Sequence, residues 1–194
     1  MICNKSDSNS IDLCVKSLND NKVVIIPTDT VYGFSALVLN ESYENLNSKK
    51  IKKIKGREEG KSFIQLISSP DEIEKYSDAK IPSDLLKYWP GPLTIICEDK
   101  RYSTSNCVIT TAFRCPGDKW LRDIIFQLKA PIYSTSVNRS GKPILEKENE
   151  IIREFENEVD LIVLNGDTKD QLPSTIVKIN NDYTYEVIRQ GAIK

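Results

Sequence analysis

Four polar segments of the sequence combine hydroxyl groups, backbone amides near glycine and fixed cations, the groups that bind phosphate. They are Pro-Thr-Asp-Thr-Val-Tyr-Gly at 27–33, Lys-Gly-Arg at 55–57, Ser-Thr-Ser-Val-Asn-Arg-Ser-Gly at 134–141 and Pro-Ser-Thr at 173–175. Each lies beside or within an apolar run, and ligands of open α/β sheets bind where strands end and loops begin. The chain has no G-x-x-x-x-G-K-[ST] sequence, so the segments predict a phosphate site without a Walker-type loop.

Each segment taken alone also has an explanation that needs no ligand. Thr-Asp-Thr and Ser-Gly stretches satisfy backbone groups in loops, and a Lys-Gly-Arg run at the end of a helix interacts with the helix dipole. It is the joint occurrence of the four segments that favours a binding site.

The chain contains no histidine. This excludes Ser-His-Asp and Cys-His catalysis, histidine-ligated zinc and imidazole acid–base chemistry. Any reaction must therefore use hydroxyls, lysine, arginine, carboxylates and an exogenous metal ion.

The cysteines favour neither a disulfide framework nor a zinc site. There are five, an odd number, and no two are spaced as C-x-x-C. Cys97 and Cys107 lie in or beside apolar runs, which predicts that both are buried as small hydrophobic residues.

Composition bounds the class of protein. The 194 residues, 39% hydrophobic and 28% charged, fit one globular domain with its own core. Lys plus Arg (27) almost balances Asp plus Glu (28), which argues against a primary nucleic-acid binder. No apolar run approaches the roughly 20 residues of a membrane span, so we predict a soluble cytoplasmic protein.

Hydrophobic periodicity predicts one α/β domain over residues 1–194, with a mixed sheet flanked by helices. The predicted helices lie around 11–18 and at 43–55, 71–76, 83–88, 119–129 and 146–156. The predicted strands lie at 23–26, 34–39, 63–67, 93–97, 107–113, 132–134, 161–164, 175–179 and 185–189, with a loop at 135–142. Strand directions do not follow from these patterns.

Taken together and in order, the segments resemble the YrdC-like threonylcarbamoyl-AMP synthases over about residues 23–191. Further elements of the resemblance are Trp89-Pro90-Gly91-Pro92-Leu93-Thr94, Arg114 followed by Pro116, Ser136 and Asn138 before Ser140-Gly141, and Arg189 before Gly191. The resemblance implies the YrdC-like fold, a single domain with a twisted mixed sheet flanked by helices.

The resemblance implies a nucleotidyltransferase that makes threonylcarbamoyl-AMP and pyrophosphate from L-threonine, bicarbonate and ATP. The product would pass to a partner complex that completes the N6-threonylcarbamoyladenosine modification of tRNA. An N-carboxylated threonine attacks the α-phosphorus in such a reaction, so catalysis is mostly positioning and charge neutralisation and needs no histidine. Mg²⁺ would enter with the ATP phosphates, without a dedicated set of protein ligands.

Roles for individual residues also follow from the resemblance. Catalytic roles are implied for Lys55, Arg57, Ser136 and Asn138. ATP contacts are implied for the same four residues and for Thr110, Ser174 and Arg189. Threonine contacts are implied for Thr28, Thr30, Tyr32, Arg114 and Thr135. Arginine is suited to a bidentate grip on phosphate or carboxylate, whereas lysine acts as a point charge.

The sequence departs from the family pattern at Ser35, Glu58 and Val137 and along 58–63, which bears on substrate fit near Ser62 and Phe63. The chain ends three residues after Gly191. The resemblance is therefore to the short, single-domain branch of the family, without the additional C-terminal domain.

Three alternatives remain open at this point. A paralogue with the same fold could bind nucleotide without making this product. The chain could be a structural partner within a modification complex. An RNA-binding module could use a basic patch, whose candidate residues are Lys49, Lys50, Lys52, Lys53, Lys55 and Arg57. Weak tRNA binding is also compatible with the enzyme.

Overall fold

The computed structural model describes residues 1–39, 45–57, 62–180, 182 and 184–193. Its helices are α1 (Ser10–Asn19), α2 (Leu46–Lys55), α3 (Ser83–Leu86), α4 (Lys119–Leu128) and α5 (Glu148–Phe155), with a 3₁₀ helix at Pro70–Lys75. Its strands are β1 (Ile2–Asn4), β2 (Val24–Ile26), β3 (Gly33–Leu37), β4 (Ile64–Leu66), β5 (Leu93–Glu98), β6 (Thr110–Arg114), β7 (Ile132–Ser136), β8 (Leu161–Leu164), β9 (Thr175–Ile179) and β10 (Tyr185–Arg189). None of the helices in these ranges is long and apolar enough to cross a bilayer.

The ten strands of the described residues form one mixed sheet in the order β1-β8-β2-β3-β7-β4-β6-β5-β9-β10. The pairs β1–β8, β2–β8, β4–β6 and β5–β9 are parallel. The pairs β2–β3, β3–β7, β4–β7, β5–β6 and β9–β10 are antiparallel. The predicted α/β class with a mixed sheet is confirmed.

Helices cover both faces of the sheet because successive strand residues point to opposite sides. On β2, Ile25 packs in a cluster with residues of α2 and α5. Its neighbours Val24 and Ile26 pack instead with residues of α1 and α4. A third cluster, around β5 and β6, contains Trp89 and residues of the 3₁₀ helix and α3. The continuous apolar run of β2 is thus explained by burial on both faces.

The boundaries of α2 follow from its capping residues. The Asn45 side chain accepts hydrogen bonds from the backbone N–H groups of Asn47 and Ser48, which satisfies donors of the first turn. At the other end Gly56 adopts a left-handed conformation (φ 60°) that glycine tolerates without strain. The helix therefore stops directly after Lys55. Two residues of its predicted range, 43 and 44, lie outside the described residues.

Several predictions of local structure were wrong. Cys97 is buried as expected, but Cys107 is exposed and pairs with Thr104 in an isolated bridge before β6 begins. The short helix predicted at 71–76, by contrast, is present as a 3₁₀ helix at Pro70–Lys75. The predicted loop 135–142 begins late, because Thr135 and Ser136 complete β7 opposite β3. Finally, β1 was missed because a three-residue edge strand carries almost no periodicity.

The α5 face of the core gives a stability prediction. Phe155 is fully buried and meets the Phe34 ring edge-on at 4.8 Å. Phe155→Ala should lower the free energy of unfolding by about 3–5 kcal/mol, because it removes buried surface and leaves a cavity. Urea unfolding would measure this loss.

The matched control is Phe126→Ala, since Phe126 also lies on a helix but is 73% exposed. Its effect should stay within about 0.5 kcal/mol. Equal losses in the two variants would contradict the assignment of Phe155 to the core.

Candidate active site

A cleft of about 250 Å³ brings together residues from all four polar segments. It is lined by Thr28, Thr30, Val31, Tyr32, Gly33, Arg57, Ser62, Phe63, Ile64, Arg114, Ser134, Thr135, Ser136, Ile144, Pro173, Ser174, Ile176 and Arg189. The segments are far apart in sequence, and the order of strands in the sheet brings them to one place.

Three arginines, Arg57, Arg114 and Arg189, line this cleft, and none of the described lining residues is acidic. Burial and, secondarily, the nearby charge of Arg114 lower the pKa of Arg189. Converging cations of this kind repel one another unless an anion lies between them. Asp29 pairs with Arg114, so among the described residues it is Arg57 and Arg189 whose charges lack a carboxylate partner and favour an anion in the cleft.

Arg57 presents an incompletely satisfied guanidinium group. Its Nη2 donates to the Ser62 carbonyl at 3.1 Å, its Nη1 reaches the Thr135 hydroxyl at 3.5 Å, and its plane lies 4.8 Å from the Phe63 ring centre. Its Nε is buried and has no hydrogen-bond partner among the residues that the structure describes. Burial lowers the pKa of Arg57. Because Arg57 lines the cleft, its guanidinium charge favours an anion there.

Lys55 lies behind the cleft rather than in its lining. Its side chain is buried, and Nζ donates to the carbonyls of Ser136 and Asn138 and to Asn138 Oδ1, the last two at 3.0 and 2.9 Å. An ammonium group has three N–H donors, and all three are used here. Burial, and then the charge of Arg57, lower the pKa of Lys55 to about 8. Its direct role in this geometry is to hold the Ser-x-Asn loop.

The two polar residues of that loop differ in where they lie. Ser136 lines the cleft and donates from Oγ to Asn138 Oδ1 at 2.7 Å. Asn138 does not line it, and its Nδ2 donates to the carbonyls of Arg139 and Lys142. Its amide is thus engaged within the protein, so Asn138 shapes the loop around Ser136.

The Thr-Asp-Thr segment and Arg114 hold each other in place. Arg114 is buried and donates from Nη1 to the Thr30 hydroxyl at 2.9 Å and from Nε to the Gly91 carbonyl at 3.0 Å. Its Nη2 lies 2.7 Å from Asp29 Oδ1, an ion pair whose angle falls short of a hydrogen bond. The Thr28 hydroxyl closes the turn on the Val31 carbonyl at 2.8 Å. These contacts fix Arg114 in the wall of the cleft.

Tyr32 lines the cleft but its hydroxyl is used elsewhere. The side chain is fully buried, and the hydroxyl contacts Glu148 Oε1 at 3.0 Å and the Gly166 carbonyl at 2.9 Å and accepts from the Asn165 N–H. Burial is the main cause that raises the pKa of Tyr32. These contacts tie the end of the Pro-Thr-Asp-Thr-Val-Tyr-Gly segment to α5 and the loop after β8.

Ser174 and Arg189 form the third side of the cleft. The Ser174 hydroxyl is buried 2.8 Å from the Thr94 hydroxyl, and Arg189 Nη2 donates to the Ser174 carbonyl at 2.7 Å. Thr110, by contrast, is exposed and does not line the cleft. It begins β6, whereas Arg114 ends it, which places the two roughly 13 Å apart along the strand. The structure brings the other predicted residues to the cleft or directly behind it.

The sequence interpretation assigned no role to Asp29, Gly91 or Thr94, which support Arg114 and Ser174. Asp29 could have been found because a buried arginine needs a counter-ion. Of the departures from the family pattern, Ser35 and Val137 are buried outside the cleft lining, Glu58 lies outside the described residues, and Ser62 and Phe63 line the cleft.

The basic patch proposed for an RNA-binding module is only partly exposed. Lys52 and Lys55 are buried, and Lys50 donates to the Asn21 carbonyl. Lys49 and Lys53 are exposed, and Arg57 faces the cleft. Two exposed lysines on one helix are typical of a solvated face rather than of a nucleic-acid groove.

The position of Arg57 in the lining of the cleft gives a binding prediction. Arg57→Ala should weaken inorganic pyrophosphate binding about 10- to 100-fold, as expected for the loss of charged hydrogen bonds. Isothermal titration calorimetry would measure the change. Arg153→Ala, which alters an exposed arginine on α5, should leave the affinity unchanged. Equal effects of the two substitutions would mean that the cleft does not hold the anion.

A family model described as telomere recombination, that of the Sua5, YciO and YrdC proteins, matches residues 16–191. A protein of Methanocaldococcus jannaschii, provisionally named a threonylcarbamoyl-AMP synthase, is 34% identical over 187 residues, 94% of this chain and 86% of the relative. The threonylcarbamoyl-AMP synthase of Bacillus subtilis is 30% identical and aligns with 91% of this chain. The match covers 51% of that relative, so the chain spans about half of its length.

Solved structures agree with this relationship. Sua5 of Pyrococcus abyssi in complex with L-threonine superposes with a TM-score of 0.80 at 26% identity, covering 98% of this chain and 57% of the other. YciO of Escherichia coli superposes with a TM-score of 0.77 at 23% identity, covering 99% and 94%. At that identity the YciO likeness shows the fold alone. Because the family model spans most of the sequence, and one relative is 34% identical over most of its own length, the chain belongs to the Sua5/YciO/YrdC family.

Proposed function

We propose that this protein is a threonylcarbamoyl-AMP synthase. The amine of L-threonine and bicarbonate give an N-carboxylate and water. An oxygen of the N-carboxylate then attacks the α-phosphorus of ATP, the bond to the β-phosphate oxygen breaks, and pyrophosphate leaves. Family membership and the names of the aligned relatives support this reaction.

One observation carries the proposal: three arginines converge on a cleft whose described lining has no carboxylate. Such a cleft is built for a polyphosphate rather than for a neutral ligand. In-line attack on phosphorus needs the charge on the transferring and leaving oxygens neutralised by fixed donors. The arginines supply these donors without proton transfer, consistent with the absence of histidine.

In this proposal ATP and L-threonine bind to different walls of the cleft. We assign the triphosphate to Arg57, Arg189 and the hydroxyl of Ser136. We assign threonine to the turn at Thr28–Thr30 and to Arg114, because that guanidinium lies in the wall of the cleft, where its positive charge favours a carboxylate. The P. abyssi relative was solved with L-threonine, which supports threonine as the amino-acid substrate.

Mg²⁺ is proposed to enter with the nucleotide. No group of three or more His, Cys, Asp or Glu residues in the described parts of the chain could hold a metal ion. The donors in the cleft are hydroxyls and cations, so they suit the phosphates of an Mg–ATP complex better than the ion itself. When bound, the ion would supply charge neutralisation at the phosphate oxygens.

The later steps are proposals from the resemblance. The adenylate would be handed to the complex that transfers threonylcarbamoyl to tRNA, and the chain would act as a single-domain enzyme. Weak tRNA contact through Lys49 and Lys53 would be secondary. Its salt dependence should be shallow, because two lysines neutralise few phosphates.

The reaction is tested by incubating the protein with ATP, Mg²⁺ and bicarbonate, with and without L-threonine. Pyrophosphate release should depend on threonine, and mass spectrometry should detect threonylcarbamoyl-AMP. Arg57→Ala should lower kcat/KM about 100-fold or more, because a group that stabilises developing charge is lost. Ser136→Ala should lower it about 10-fold through one lost hydrogen bond.

Arg153→Ala serves as the control in the same assay, with unchanged kcat/KM. ATP binding without pyrophosphate release at any threonine concentration would refute the synthase and favour a nucleotide-binding paralogue. Other amines and carbamoyl donors would then be screened.

Lys55 gives a pH prediction. Because burial lowers its pKa to about 8, its third hydrogen bond to the Ser-x-Asn loop is lost as the pH rises through 8. A bound anion favours the charged form, so ATP affinity should be constant well below pH 8, begin to fall near pH 8 and be several-fold lower by pH 9.5. Calorimetry between pH 7.5 and 9.5 would measure this. Lys53→Ala, an exposed neighbour, should retain the profile, and a flat profile for the unaltered chain would contradict the role of Lys55.

A further inference from the structure

The C-terminal end of α2 is completed by the loop that follows β7. The last carbonyls of a helix have no partner within the helix. Those of Lys52 and Lys53 accept hydrogen bonds from the N–H groups of Arg57 and Gly56. The carbonyl of Ile54 accepts a hydrogen bond from the Arg139 guanidinium. The carbonyl of Lys55 accepts one from the N–H of Ser140 at 2.8 Å. The loop therefore caps the turn from which Lys55 and Arg57 extend.

Arg139 joins three parts of the structure. Its Nη1 donates to the Ile54 carbonyl of α2, and its Nε donates to Glu154 of α5 at 2.7 Å. Its Nη1 and Nη2 also form a two-pronged contact with Glu158, the Nη1 bond measuring 3.1 Å. Its guanidinium lies 4.6 Å from the ring centre of Phe155. The side chain is 35% exposed, yet its donors are held by groups from both helices and the turn after α5.

These contacts matter because of the neighbours of Arg139 in sequence. Asn138, directly before it, donates to the Arg139 carbonyl and accepts from Lys55 Nζ. A shift of Arg139 would therefore move the Lys55 ammonium and Ser136 together. A single exposed ion pair contributes little, but a planar guanidinium with two acidic partners, a helix carbonyl and an aromatic face has one preferred position.

We propose that Arg139 is a positioning residue that holds the Lys-x-Arg turn and the Ser-x-Asn loop in register for the triphosphate. It does not line the cleft. This inference rests on the proposed function, and it adds a residue to which the resemblance assigned no role. Its substitution should affect the ATP side of the cleft and leave the threonine side, held by Arg114 and Asp29, in place.

The test compares Arg139→Ala with the unaltered chain in two measurements. Calorimetry with Mg–ATP should show roughly 10-fold weaker binding, as expected when one charged contact that fixes the site is lost. Steady-state kinetics should show a higher KM for ATP and a KM for threonine within about 2-fold of the original, since the threonine wall makes no contact with Arg139. If Arg139 only stabilised the fold, Arg139→Ala would lower the melting temperature without raising the KM for ATP relative to the KM for threonine.

Three variants sharpen the test. Arg139→Lys keeps the charge but not the planar fork, so it should restore only part of the ATP affinity. Glu158→Gln should also weaken ATP binding, and its effect should not add to that of Arg139→Ala, because both substitutions disrupt the contact between Arg139 and Glu158. Arg153→Ala, an exposed arginine of α5, should change neither Michaelis constant.

The outcomes distinguish a failure of the positioning role of Arg139 from a failure of the proposed synthase function. If the unaltered chain does not bind Mg–ATP, the proposed function is wrong and the inference is lost with it. If the unaltered chain binds and Arg139→Ala binds equally well, only the positioning role is overturned. An equal rise in both Michaelis constants also overturns it. If Arg139→Ala does not fold, Arg139→Lys and Glu158→Gln decide the same question.

Discussion

The buried ammonium of Lys55 is the interaction on which the geometry of the cleft depends. A cation removed from water is costly unless its donors are all satisfied. The three N–H groups of Lys55 donate to oxygens of Ser136 and Asn138. Asn138 lies 83 residues after Lys55 in the sequence. The loop in return caps the helix that carries Lys55. The end of α2 and the loop after β7 therefore stabilise each other. These mutual contacts fix the position from which Arg57 enters the cleft.

The same reciprocity recurs around the cleft. Arg114 is held by Thr30 and the Gly91 carbonyl, and Arg189 by Ser174. In each case an arginine of one segment is oriented by a hydroxyl or carbonyl of another. Those contacts use part of each guanidinium group, and repulsion from Arg114 contributes, after burial, to the lowered pKa of Arg189. A polyphosphate would relieve the repulsion and pair the remaining donors, so the protein provides positions and the substrate completes the charge balance.

The sequence predicted the buried elements well because burial leaves a local pattern. The apolar runs of β2 and β8 and the amphipathic face of α4 needed no tertiary information. Strand order and direction left no such pattern, and neither did the use of individual polar groups. Thr30 and Arg114 are 84 residues apart, so their hydrogen bond depends on the sheet. The structure brings the segments named by the resemblance to one cleft. Only the structure shows that the amide of Asn138 is engaged within the protein and that Thr110 begins its strand outside the cleft.

Close packing explains the glycines beside two of the arginines: Gly191 follows Arg189 by two residues, and the Gly91 carbonyl accepts from Arg114. A Cβ atom on Gly191 would lie 2.3 Å from the Pro173 carbonyl oxygen, and one on Gly91 would lie 2.5 Å from the Tyr88 carbonyl oxygen. At Gly191 the close approach lets Thr175 Oγ1 accept from the backbone N–H groups of Gly191 and Ile193, which fixes the chain beside Ser174. Arg189, two residues earlier, can then reach the Ser174 carbonyl. The Arg-x-Gly and Pro-Ser-Thr segments are therefore one structural unit, in which glycine provides the space and arginine the charge.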